Sequence, residues 1–219
     1  MTRIALISAT PAAIGPATAG LDREFPAATV WNILDDRLLA DADTAGGLTP
    51  PLEARMRRLI EHALAEGADG VLLTCSLYGS VAQSTSTAVP VLAPDDAAFA
   101  SAIDGGYGRV LIVASVRSAL DDSVRRFSAA CAERGSATQV LGVVVPAAFD
   151  AAKAGDDAAL LTVLAAACRG STDPFDAVLL AQYSLAPAAT SLAEALGVPV
   201  VSGPDSAARR LRTLVEGAS

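Results

Sequence analysis

Few residues of this chain carry chemistry, and one group of them stands out. Thr74-Cys75-Ser76 follows the apolar run Gly70–Leu73 (GVLL), which reads as a buried strand, and leads into a turn that can open a helix. A free thiol titrates near 8.5, so only a few per cent of it is thiolate at about pH 7. A helix N-terminus and neighbouring hydroxyls lower that value and make the sulfur a usable base. Cys75 is therefore expected to exchange a proton with a substrate, although an inert buried thiol remains open on position alone. Cys131 (SAACAER) and Cys168 (AAACRG) lie in Ala-rich helical stretches and read as packing residues.

The other candidates are weaker. A single histidine, His62, falls on the polar side of a helical pattern and leaves no material for a His-based metal site or a Ser-His-Asp triad. Three cysteines at irregular spacing form neither a disulfide framework nor a zinc ligand set. Asp35, Asp36, Asp41 and Asp43 could draw a divalent cation, but a solvated loop explains them better, so no metal is expected. Arg37 could reach a distal carboxylate; a solvated arginine is the simpler reading. Tyr78 and Tyr183 could donate protons only if tuned far from the usual phenol value near 10. Gly105-Gly106-Tyr107-Gly108 precedes a strand and is a turn, not a dinucleotide fingerprint. SATPAAIGPAT, beginning at Ser8, faintly suggests a phosphate loop, which leaves flavin or nucleotide binding as a minor alternative to the expectation of no cofactor.

The elements that must position these residues follow from the apolar pattern. Arg3–Ser8, Gly70–Leu73, Val89–Leu92, Arg109–Ala114, Val140–Val145, Ala177–Ala181 and Val198–Val201 are short runs apolar on both faces, as in a parallel sheet covered by helices. Helical patterns alternate with them. The clearest is Pro51–Glu66, with Leu52, Met56, Leu59, Ile60, Ala63 and Leu64 on one stripe and Gly67 as the cap. The class is α/β. The chain also repeats itself: RIALISATPAAI from Arg3 aligns with RVLIVASVRSAL from Arg109. DGVLLTCS from Asp69 aligns with DAVLLAQY from Asp176, and VPVL from Val89 with VPVV from Val198. Two similar flavodoxin-like lobes related by pseudo-two-fold symmetry are expected, residues 1–94 plus 205–219 and residues 95–204. Ligands bind at the carboxyl ends of parallel strands. The site is accordingly expected in the cleft between the lobes, at Ala9-Thr10, Thr74-Cys75-Ser76, Ser115–Ser118 and Gln182-Tyr183-Ser184.

Composition bounds the partners. The 219 residues are 52% hydrophobic, 18% charged and 4% aromatic, with mean hydropathy +0.43, which excludes a disordered chain. A net charge of −8 argues against nucleic acid. No stretch reaches the roughly 18 apolar residues of a membrane span, and Met1–Ala9 is too short an apolar run for a signal peptide. A soluble cytoplasmic protein with no membrane partner is expected.

ILDDRLLAD (Ile33–Asp41), GADGVLLTCS (Gly67–Ser76), RVLIVASVRSALDDS (Arg109–Ser123), AAFDAAKAGD (Ala147–Asp156) and DAVLLAQYSLAPA (Asp176–Ala188) together resemble the aspartate/glutamate/hydantoin racemase superfamily. The resemblance implies a cofactor-independent isomerase that moves a proton at the α-carbon of a small carboxylate such as an amino acid, and it allows a homodimer. In such racemases two cysteines face each other across the cleft, and the first matches Cys75. The second falls on Gln182, which cannot titrate but can hydrogen-bond a substrate or enolate oxygen. The carboxylate-holding hydroxyls carry over onto Thr10, Ser76, Ser115 and Ser118, with Thr74 and Tyr183 as neighbours. The departure at Gln182 makes a one-base decarboxylase or isomerase, or a non-catalytic carboxylate-binding protein, the alternatives to racemisation. On this resemblance, Gln182→Cys is expected to raise racemisation of the right substrate, followed by polarimetry or chiral chromatography; no gain in a folded variant places residue 182 away from the reacting carbon.

Overall fold

Runs that are apolar on both faces become interior strands. β1 (Arg3–Ser8) and β3 (Gly70–Leu73) are buried along their length apart from Arg3. β2 (Thr29–Leu34), which carries exposed Thr29, Asn32 and Leu34, lies at the edge. In the computed structural model, which describes residues 1–217, these strands and β4 (Val91–Leu92) form an all-parallel sheet ordered β2-β1-β3-β4. β5 (Arg109–Ala114), β6 (Gln139–Val144), β7 (Ala177–Leu180) and β8 (Val200–Ser202) form a second, ordered β6-β5-β7-β8. The helices are α1 (Ile14–Glu24), α2 (Arg37–Ala45), α3 (Pro50–Ala65), α4 (Gly79–Gln83), α5 (Asp96–Asp104), α6 (Arg117–Glu133), α7 (Ala147–Ala154), α8 (Asp157–Arg169), α9 (Ala189–Leu196) and α10 (Gly203–Gly217). The fold is α/β, two four-stranded parallel sheets flanked by helices. Among the described residues no helix is long and apolar enough to cross a membrane.

The chain divides into two compact units, Met1–Asp96 with Pro204–Ser219, and Ala97–Gly203. In the first, α2, α3 and α4 cover the sheet face that carries Ala5, Ile7, Val71 and Leu73. α3 buries Leu52, Met56, Ile60 and Ala63 at helical spacing, and Gly67, at φ 80°, turns the chain after it. α10 returns to the opposite face. There Gly70 leaves space for Ile4 and Leu211, whose Cδ1 atoms lie 3.0 Å from where a Cβ would stand. α1 packs beside α10 through Gly20 and Pro204, and ion pairs Arg23–Asp205 and Arg209–Glu24, each 2.6 Å, line the surface of that contact. In the second unit α7, α8 and α9 cover Leu111, Val113, Val178 and Leu180. Its α5 and α6 cover Val110, Ile112, Ala177 and Leu179.

The two units repeat their hydrogen bonds as well as their strand order. Arg3 N donates to Asp69 Oδ2 at 2.7 Å, and Arg109 N to Asp176 Oδ2 at 2.8 Å. Asp69 N returns to Arg3 O at 2.8 Å, and Asp176 N to Arg109 O at 2.9 Å. β4 and β8 start later than the runs Val89–Leu92 and Val198–Val201 suggest, for one shared reason. Pro90 and Pro199 each accept through their carbonyls, from Val71 N and Val178 N at 2.9 Å, but have no N–H to return.

Two glycines of α1 make opposite predictions. A Cβ on Gly20 would stand 2.9 Å from Pro204 C, O and Cβ, whereas one on Gly15 would meet nothing within 4 Å. Gly20→Ala is expected to destabilise by about 1–3 kcal/mol, and Gly15→Ala to stabilise by up to about 1 kcal/mol. Urea denaturation of the two variants reads both signs; equal midpoints would mean that α10 does not press on α1.

Candidate active site

The polar residues expected to act all follow interior strands, because only there does the chain leave the apolar sheet. In the first unit Thr74 N extends the ladder beyond β3 by donating to Ile7 O at 3.1 Å. Its hydroxyl donates to Ser8 Oγ at 2.9 Å, and both residues are buried. Thr74 therefore ties β1 to β3 through its side chain. Cys75, in extended conformation (φ −118°, ψ 119°), opens the 3-10 turn Ser76–Tyr78 that feeds α4. Cys75 and Ser76 are half-buried, as is Thr10, which opens the 3-10 turn after β1.

The electrostatics of Cys75 reverse the expectation drawn from its flanking residues. Burial pushes the thiol up to about 11, and the carboxylates of Asp95 and Asp43 push the same way. The backbone N–H groups of Leu77 and Tyr78 pull it down, as a turn N-terminus should, but desolvation of the thiolate outweighs them. The thiol therefore keeps its proton near neutral pH. Tyr78 is fully buried, with its phenol pushed up to about 12 by burial and then by Cys75, and its hydroxyl donates to Leu38 O at 2.9 Å. It is a packing and anchoring residue. Cys131 and Cys168 are buried in α6 and α8, where burial raises both thiols.

Two neighbours of this site escaped the sequence reading. Arg55, on the margin of α3, grips Asp35 at the end of β2 with Nε and Nη2 at 2.6 and 2.7 Å, and Asp41 with Nη1 at 2.8 Å. Arg37 pairs with Asp41 at 2.9 Å and is otherwise exposed; its hydrogen bond holds the Asp41 carboxyl below the usual range. Asp35 and Asp41 of the acidic cluster are thus held in an ion-pair network, and among the described residues no group of three or more His, Cys, Asp or Glu side chains is placed to hold a metal. Asp95 is the second neighbour, and it is buried. Register explains its place: Leu72 pairs with Leu92, so Cys75 and the buried Asp95 each lie three residues beyond a paired position on adjacent strands.

In the second unit Gln182 occupies the position that Cys75 holds in the first. It is extended (φ −138°, ψ 140°), follows β7, and opens the 3-10 turn Tyr183–Ala188. The turns match too: Tyr78 N donates to Cys75 O, and Leu185 N to Gln182 O, both at 3.1 Å. Ser115, which follows β5 and is 2% exposed, donates its N–H and its hydroxyl to Gln182 Oε1 at 2.7 and 2.9 Å. Ser118 is exposed near the start of α6, and Tyr183 is buried.

The sequence matches no protein-family model and no curated protein. The structure is similar to solved ones over nearly its whole length. A glutamate racemase from Bacillus anthracis superimposes with TM-score 0.74 at 14% identity, covering 99% of this chain and 82% of that one. Allantoin racemase from Klebsiella pneumoniae gives 0.68 at 17%, covering 99% and 88%. Unliganded arylmalonate decarboxylase gives 0.61 at 21%, covering 100% and 94%. The chain shares the fold of these enzymes.

The raised thiol makes a direct prediction. Alkylation of Cys75 by iodoacetamide, followed peptide by peptide by mass spectrometry, is expected to quicken about tenfold per pH unit from pH 7 and to be still climbing at about pH 10. A plateau near pH 8 would show an ordinary thiol.

Proposed function

We propose that this chain is a cofactor-independent enzyme of the racemase and decarboxylase superfamily, which moves a proton at the α-carbon of a small carboxylate with Cys75 as the acid/base. The observation that carries the reading is the contrast between equivalent positions. A protonated thiol follows β3, and a locked, non-titrating amide follows β7. One face of an α-carbon can then receive a proton, and no second acid/base stands at residue 182. Thr10 and Ser76, at the same sheet edge as Cys75, are proposed to bind the carboxylate in the first unit, and Ser118 and Tyr183, which follow the corresponding strands, to do so in the second.

The state of the thiol favours decarboxylation with protonation over racemisation or isomerisation, which both begin by removing a proton. Reactions that begin by removing a proton need the rare thiolate, and raising an acid to that state at pH 7 from about 11 takes roughly 5 kcal/mol. Loss of carbon dioxide from a malonate-type acid creates the carbanion by carbon–carbon cleavage, and needs only a donor to finish. Cys75 supplies that proton and is restored from water.

Incubation in deuterium oxide with a panel of amino acids, hydroxy acids and substituted malonates tests this. One substrate is expected to gain a single deuterium at the α-carbon with one handedness, and Cys75→Ala to slow the reaction by about 10²–10⁴. Binding of a carboxylate without exchange or carbon dioxide release across the panel would make the chain a non-catalytic binder.

A further inference from the structure

An amide side chain has an accepting end and a donating end, and the surroundings of Gln182 decide which faces the protein. Ser115 directs two donors, its backbone N–H and its hydroxyl, at one atom of Gln182. A backbone N–H has no lone pair, so the NH₂ end cannot make this contact. The orientation is dictated by chemistry, and it is held at the end of an interior strand by a residue 2% exposed. Nε2 is turned away from Ser115, and no acceptor among the described residues takes its hydrogens. The donors of Ser115, which the resemblance assigns to a substrate carboxylate, are already engaged.

We propose that Ser115 is a positioning residue that holds Gln182 as a fixed two-hydrogen donor for an oxygen of a small carboxylate. The inference rests on the reading of the chain as a small-carboxylate enzyme. It moves the recognition role from the serine to the amide. Because Oε1 is anchored by two bonds, the amide loses little freedom when Nε2 meets an anionic oxygen, and a hydrogen bond to a charged partner is among the stronger kinds. The same arrangement selects against cations and against ligands that offer only donors.

Titration calorimetry of the full chain with malonate, acetate and glutamate tests it. Gln182→Glu keeps an acceptor for Ser115 but replaces the outward NH₂ with an anionic oxygen, and is expected to weaken carboxylate binding at least about tenfold. Gln182→Ala is expected to weaken it as well. Ser115→Ala, which keeps the backbone N–H, should weaken it less, and Ser115→Thr should restore it. Circular dichroism checks the fold of each variant. Were Ser115 itself the ligand's cradle, Gln182→Ala would vacate it and tighten binding. Unchanged or tighter binding in Gln182→Glu or Gln182→Ala overturns the inference, while Cys75-dependent deuterium incorporation in the same samples keeps the enzyme reading standing. No binding of any of the three acids to the unaltered chain, with no exchange, overturns both.

Discussion

Burial on both faces governs this molecule. The interior strands carry Ile4 to Ile7, Val71 to Leu73, Val110 to Ala114 and Ala177 to Leu180, all buried, and none of these positions can hold a polar side chain without stranding it. Polar chemistry is confined to the points where strands stop. Because every strand of a sheet runs in one direction, those points gather along one edge. Ser8, Thr74, Cys75 and Asp95 in the first unit, and Ser115 and Gln182 in the second, lie where they do for this reason.

The same burial sets the character of what it places there. At Cys75 two backbone N–H groups and the removal of water act on one sulfur with opposite sign, and the removal of water prevails. Elsewhere in the same unit Arg55 reaches both Asp35 and Asp41, and the hydrogen bond from Arg37 lowers the Asp41 carboxyl. Within one unit, burial raises the Cys75 thiol while a guanidinium lowers the Asp41 carboxyl. The edge of a sheet sorts its side chains by the partners that reach them.

Much of the fold was legible in the sequence because apolar runs and turn residues act locally. The strands β1, β3, β5 and β7 and the helix α3 were readable to within a residue or two. The strands after Pro90 and Pro199 were over-extended by the pattern, since a missing N–H is invisible to hydropathy. The site was legible in part. Position after a strand is written in the sequence, and it singled out Cys75 and Gln182. The direction of the thiol's shift was not, since it depends on how much water the fold removes and on Asp95, brought alongside by pairing of distant segments. Arg55 was hidden for a similar reason: its partners are remote in sequence and declare themselves only when β2 ends beside α3.

Each sheet has a second edge, where the strands begin, and there the two units are alike. The reciprocal bonds of Arg3 with Asp69 and of Arg109 with Asp176 close the amino ends of paired strands in the same way. At the opposite edge one unit carries a thiol and the other an amide. Scaffold and chemistry are thus written on separate margins of a duplicated half. Either half can trade the residue at one margin while the fasteners at the other are left untouched, so a repeated scaffold can carry different side chains in its two halves.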